Sequence, residues 1–330
     1  MIETIYIETA LQKHPRALQV MQRYSTARVI PCEHYAEVFN PSAQNFRLQK
    51  LKPALIIAEK HNQFVLPAPE AYGIGMQQNY YFSHMLNCLY DCRYCFLQGM
   101  FASANYVWFV NYESFQQAIE ATVAQHPEQT IGFYSGYDCD SLALESITEF
   151  AGYFLDVFRQ LPNAWLELRS KSPYTKVLTQ QQAFQNCIVA YSFTPDPINQ
   201  AIEYKVAPNK ARIKAMKTVQ QHGWPIGLRF DPIIYCDDYQ AVYTQLFEQI
   251  FSSIDVTRIH SVSLGPFRLP DRYLRKLKKL YPQEKLLALD FPVHQGMASY
   301  PKQLEQEMMA YVTRELIRYI PEDKLFPCVN

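Results

Sequence analysis

The order of elements along the chain predicts an α/β protein: a partial (β/α)6 TIM-like barrel preceded by a small N-terminal α/β extension. Two observations carry this expectation. From residue 78 onward, short apolar runs alternate with amphipathic helical stretches, and six such units follow one another. A motif of three closely spaced cysteines comes directly after the first of these runs. Alternation of this kind implies parallel strands joined by crossover helices. In barrels of this class, chemistry gathers on the loops after the C-terminal strand ends, where the motif lies.

Residues 1–77 read as the extension, with a strand over 4–8, an amphipathic helix over 11–24 and a buried strand over 53–58. Pro67, Pro69, Gly73 and Gly75 then break regular structure and mark a linker. The barrel spans 78–265, with strands over 79–83, 130–135, 165–169, 187–193, 225–231 and 259–264. Helices over 113–124, 144–160, 175–184, 210–222 and 238–251 connect them. Residues 266–330 form a C-terminal extension. Its helix over 271–281 starts after Pro270, with Tyr273, Leu274, Leu277 and Leu280 on one face and Arg272, Arg275, Lys276 and Lys279 on the other. A last helix is expected over 300–319.

Thirty-one basic and 31 acidic residues cancel, so no global field draws the chain to nucleic acid or a membrane surface. A polyanion has to meet a local patch. The 24 tyrosines and 20 phenylalanines suit either a heavily aromatic core or a stacking surface. The opening residues lack a basic head followed by an apolar run, and no window has the 18 apolar residues of a membrane span. Eight cysteines outside a secretory context read as reduced thiols, so a cytoplasmic protein without a membrane partner is expected.

The motif is Cys88-x3-Cys92-x2-Cys95. Soft thiolates select iron–sulfur centres or zinc, but a structural zinc site or an electron-carrying four-iron cluster is normally closed by four protein ligands. Three thiolates leave one iron open. A zinc site or a chance grouping is the competing reading. The open-iron arrangement resembles that of radical S-adenosylmethionine (SAM) enzymes, which hold a [4Fe-4S] cluster, chelate SAM on the free iron and cleave it reductively. That resemblance implies a barrel of the radical SAM type and a reduced flavodoxin- or ferredoxin-type electron donor.

Several further blocks resemble the spore photoproduct lyase family of these enzymes. They are Cys95-Phe-Leu-Gln, Asp140-Ser-Leu-Ala-Leu-Glu145, Leu166-Glu-Leu-Arg-Ser-Lys171, Tyr191-Ser-Phe193, Gly223-Trp-Pro-Ile-Gly227, and Phe267-Arg268 followed by the basic helix. The resemblance implies a SAM-derived radical that abstracts hydrogen from a methylene-bridged thymine dimer in DNA and restores two thymines. It makes Cys88, Cys92 and Cys95 cluster ligands, and Lys171 and Ser192 SAM contacts. Ser135 and Gly136 fall where such folds bring backbone close to SAM. Lys171 also has the plainer reading of a salt-bridged strand-end lysine. Arg229 and Asp231 share a face of the fifth strand, so Arg229 either binds the SAM carboxylate or pairs with Asp231. Glu203 is read as a surface carboxylate in preference to a ribose acceptor.

Three departures from the family pattern stand out. The family follows its last cluster cysteine with a tyrosine that, with a second tyrosine and a cysteine, relays hydrogen to the product radical. Here that position is Phe96, while Tyr94 is retained. The donor-cysteine position falls on Tyr137, and Cys139, two residues on, either replaces the donor or is an inert buried thiol. The family's basic C-terminal hairpin is matched by residues 290–300, which hold no Lys or Arg. Arg268, Arg272, Arg275, Lys276 and Lys279 form a local patch that either binds DNA phosphates or is a solvated helix face. Three functions follow: a lyase of this type, a radical SAM enzyme with another substrate, or an iron–sulfur protein without turnover.

Overall fold

The computed structural model describes residues 2–40, 42, 44–69 and 72–328. Six strands form as expected: β1 (Gln78–Tyr81), β2 (Ile131–Tyr134), β3 (Ala164–Ser170), β4 (Cys187–Ser192), β5 (Ile226–Ile233) and β6 (Ile259–Pro266). Each pairs in parallel with the one before it. Every residue of β2 and β4 is buried, which explains why they read as unbroken apolar runs: crossover helices cover one face and the barrel interior the other. The barrel stays open. Leu66–Pro67 adds antiparallel to the free edge of β1, and Leu325–Pro327 adds parallel to β6.

A second sheet has the order Arg28–Cys32, Thr4–Glu8, Leu55–Ala58, Tyr106–Phe109, Met85–Leu86. Its last two strands come from the chain after β1, so position 77 does not separate the sheets. Tyr106–Phe109 is buried throughout, and burying that run against Leu55–Ala58 draws the chain out of the barrel. The three cysteines lie on this excursion, between Leu86 and Tyr106. Asp91–Cys92 pairs antiparallel with Glu203–Tyr204, which ties the loop to the segment after β4.

The expected helix over 144–160 is two helices, Glu145–Thr148 and Phe150–Arg159, broken at Glu149 with φ 49°. The Glu145 carboxylate accepts the N–H groups of Ala151 and Gly152, capping the second helix where periodicity showed no interruption. The basic helix is Asp271–Leu280 and buries Leu274 and Leu277. It packs on the short helix Leu97–Met100 through Gly99, where a Cβ would lie 2.7 Å from Tyr273 Cβ and 2.8 Å from Tyr273 O. Only glycine permits that approach. The hairpin Val293–His294/Met297–Ser299 forms, with Arg268–Pro270 as its third strand. The last helix, Lys302–Leu316, packs on Tyr239–Phe251, with the Thr244 and Tyr311 hydroxyls 2.8 Å apart. No described helix is long and apolar enough to cross a membrane.

Candidate functional site

Cys88, Cys92 and Cys95 line one cavity of about 570 Å3 at the C-terminal ends of the strands, together with Tyr94, Gly136, Cys139, Lys171 and Ser192. The loop is held from outside. Asn87, at φ 69°, donates its side-chain amide to Ser103 O at 2.8 Å and Asn105 O at 2.7 Å, fixing where the loop leaves the sheet. Within it, Tyr90 N–H donates to Cys88 Sγ at 3.4 Å and Cys95 N–H to Cys92 O at 3.1 Å.

All three cysteines are free thiols. Burial pushes each above the ordinary thiol range, so a bound cation is what would make them thiolates. Among the described residues, no three His, Cys, Asp or Glu side chains converge as ligands of a single ion. A cubane asks for something else: separate irons bound by separate thiolates along one wall. The donor set, three free thiols on one cavity wall, fits a [4Fe-4S] cluster held by three protein ligands.

Lys171 reaches the cavity wall, but its Nζ lies 2.9 Å from Glu203 Oε1. Glu203 is a buried hub rather than a surface carboxylate. It accepts from Tyr94 OH, from Asn199 Nδ2 at 2.8 Å and from Arg212 Nη2 at 3.2 Å. Burial opposes its charge, yet Lys171 and Arg212, with the bonds from Tyr94 and Asn199, hold its pKa down at about 2. Two cations and two neutral donors leave no lone pair for a ribose.

Arg229 neither enters the cavity nor pairs with Asp231. Its Nε and Nη2 grip Glu167 at 3.2 and 2.7 Å, and the remaining N–H groups go to Leu228 O, Ser261 O and Ser261 Oγ. All five donors are spent, so the expected SAM-carboxylate contact is corrected to a buried Arg–Glu pair. The arginine that β3 brings to the cavity is Arg169, which sequence reasoning passed over. It donates to Ser192 Oγ at 3.2 Å, Tyr72 OH at 2.7 Å and Asp231 O at 3.0 Å. The signal was present: Glu167 and Arg169 alternate along β3 and so share one of its faces, and Lys171 follows at the same spacing just past the strand end.

Ser135 lies behind the wall, its Oγ 2.8 Å from both Ser141 Oγ and Glu167 O. Gly136 is on the wall, and a Cβ there would sit 3.0 Å from Arg169 O, so the close backbone approach is to β3. Asp140 was also overlooked as a site-shaping group. It accepts from Ser170 Oγ at 2.6 Å, Lys171 N at 2.7 Å and Ala143 N at 2.8 Å, locking the turn after β2 to the end of β3.

Cys139 is buried on the cavity wall, with its Sγ 3.8 Å from His84 Nδ1 and 3.7 Å from Ser135 O. Burial, reinforced by Asp138 and Asp140, keeps it a neutral thiol. Tyr137 also lines the cavity, and its ring is 5.5 Å from Phe96. Of the basic patch, Arg268 and Arg272 reach the cavity, while Arg275, paired with Asp271 at 2.9 Å, Lys276 and Lys279 are exposed outside it. The hairpin contributes Met297 to the wall and presents an uncharged tip.

A family model described as spore photoproduct lyase matches residues 3–325. The spore photoproduct lyase of Bacillus subtilis (strain 168) is 22% identical over 292 residues, covering 86% of this chain and 83% of that one. A solved mutant spore photoproduct lyase with bound AdoMet and dinucleoside spore photoproduct matches with TM-score 0.85 at 13% identity, covering 100% of this chain and 98% of that one. Spore photoproduct lyase complexed with dinucleoside spore photoproduct matches with TM-score 0.83 at 13% identity and the same coverage. At these identities the structural likeness is one of fold.

Proposed function

The chain belongs to the spore photoproduct lyase family, and on that premise we propose how its own residues serve the reaction of a radical SAM lyase that repairs a thymine-dimer lesion in DNA. The observation that carries the reading is the sharing of one cavity by three free thiols, a fourth buried thiol and the strand-end lysine. Cys88, Cys92 and Cys95 hold the [4Fe-4S] cluster. Held there, the cluster would supply the electron that cleaves SAM, and the 5′-deoxyadenosyl fragment of SAM would be the hydrogen-abstracting group.

The chain's own work is positioning, exclusion of water and return of a hydrogen atom. Lys171, ion-paired with Glu203, and Ser192, oriented by Arg169, present polar groups to the SAM side of the cavity. Cys139 holds its hydrogen at Sγ because burial suppresses ionisation. Once the methylene bridge breaks, that hydrogen passes to the thymine methylene radical, leaving a methyl group on the base and a thiyl on Cys139. Tyr94, bonded to Glu203, is the remaining phenol of the relay, since Phe96 has no O–H to give.

Arg268, Arg272, Arg275, Lys276 and Lys279 supply phosphate contacts around the cavity mouth, and a flavodoxin- or ferredoxin-type carrier supplies the electron. The cluster's need for a reducing compartment supports a cytoplasmic setting. Phe96 and the uncharged hairpin tip favour one second reading, in which the same radical chemistry acts on a different substrate.

The test is anaerobic reconstitution with iron and sulfide, followed by SAM and dithionite. 5′-Deoxyadenosine should form with the parent and not with Cys88→Ala. Equal yields from the two would remove the enzymatic reading.

A further inference from the structure

We propose that the outer face of the cysteine loop, made by the helix Phe46–Leu51 with Arg93 and Tyr204, docks a small acidic one-electron carrier protein; the proposal rests on the radical SAM reading, which requires a reductant. Leu51 and Leu48 are the most exposed large apolar side chains among the described residues, at 77% and 63%. They share one face of the helix with exposed Arg47. The opposite face is fastened to the cysteine loop: Lys50 Nζ lies 3.6 Å from Asp91, and Gln49 Oε1 accepts the Ala104 N–H at 2.9 Å. Asp91 adjoins Cys92, so this helix is tied by a side-chain ion pair to the residue next to a proposed cluster ligand.

Beside it, the Arg93 guanidinium lies between the rings of Tyr204 and Tyr281, at 4.4 and 3.8 Å, and Tyr204 is 42% exposed. The patch therefore has an apolar and aromatic centre. Its rim is positive. Lys50 and Arg93 share the single carboxylate of Asp91. Arg47 donates to the Lys279 carbonyl at 2.6 Å, and neither Arg47 nor Lys279 has a carboxylate within ion-pair distance among the described residues. Lys52 is offset by Glu3, and the nearby Glu284 accepts from Tyr204 OH.

A local positive excess on a chain of zero formal net charge selects an acidic partner by steering, while the small apolar centre suits the brief encounters typical of electron transfer. Electron tunnelling falls steeply with distance, which favours docking on the loop that holds the cluster. Leu48, Leu51, Arg47 and Tyr204 do not line the cavity, so a carrier seated on them leaves the cavity lining uncovered.

The test uses the reconstituted holoenzyme, a reduced bacterial flavodoxin carrying a fluorescent label, and the double variant Leu48→Asp/Leu51→Asp. The double variant should bind flavodoxin about tenfold more weakly and make 5′-deoxyadenosine about tenfold more slowly with flavodoxin as reductant. Its dithionite-driven rate should match the parent, and parental binding should weaken with salt. Unchanged flavodoxin binding overturns the proposal, as does an equal loss of the dithionite-driven rate. Lost oligonucleotide binding with intact flavodoxin binding would instead assign the face to DNA. Absence of SAM cleavage in the parent with dithionite would sink the enzymatic reading alone, because flavodoxin binding to parent and variant still decides the docking face.

Discussion

Lys171 Nζ lies 2.9 Å from Glu203 Oε1, an ion pair whose acidic half is wholly buried and whose basic half borders the cavity. The same carboxylate holds Arg212 and the Tyr94 phenol, so one buried charge connects the cysteine loop, β3 and the segment after β4. Glu203→Gln removes the charge and leaves Arg212 buried without an anion. It should cost about 3–5 kcal/mol in urea unfolding of the apo-protein. A loss within about 0.5 kcal/mol would show that the hub carries no weight.

The Arg229–Glu167 pair makes a second, separable prediction. Arg229→Met alone strands a buried carboxylate and should destabilise by about 3–5 kcal/mol, whereas Arg229→Met with Glu167→Leu should recover most of that loss. Urea midpoints of the four proteins of the cycle measure it. Additive losses would mean that the two residues are not coupled.

His84 stacks on Phe150 with ring centroids 3.6 Å apart, and burial drives its pKa down to about 3. The folded state keeps the imidazole neutral, while the unfolded chain protonates it near 6.5. Stability from this source is therefore complete above pH 6.5 and is lost as pH falls toward 3, at roughly 1.4 kcal/mol per pH unit. His84→Phe should flatten the slope of unfolding free energy between pH 6 and 4 by about that amount. An unchanged slope would contradict the assignment.

Gly99 is where the cysteine loop meets the basic helix. Gly99→Ala puts a methyl group against the Tyr273 backbone and should destabilise by about 1–3 kcal/mol, read as a lowered thermal midpoint. A neutral effect would mean that the helix shifts freely.

What the sequence made legible follows from how local each feature is. The six strands were readable because parallel strands buried on both faces are continuous apolar runs, as in Cys187–Ser192. The three cysteines proposed to hold the cluster were easy to pick out because eight consecutive residues, 88–95, contain all three. Partner choice among buried ions was not. Arg229 selects Glu167 over its own-strand neighbour Asp231 because β3 and β5 flank β4 in the same sheet, an adjacency that only the assembled strand order creates. Glu203 looked solvent-exposed because its partners, Tyr94, Lys171 and Arg212, come from three separate segments. The two-sheet excursion escaped notice for the same reason: Tyr106–Phe109 is an ordinary apolar run until Leu55–Ala58 lies beside it.

The central claim is that this chain completes thymine-dimer repair with Cys139 as the hydrogen donor although Phe96 replaces the relay tyrosine. A thiol hydrogen exchanges with solvent and a carbon-bound hydrogen does not. The direct measurement is a single turnover of the holoenzyme, equilibrated in D2O, with dinucleoside spore photoproduct, followed by mass spectrometry of the thymine product. The account predicts one deuterium in a thymine methyl group, and no such label with Cys139→Ala. Repair to thymine without deuterium, or with the same label in the Cys139→Ala variant, would contradict it.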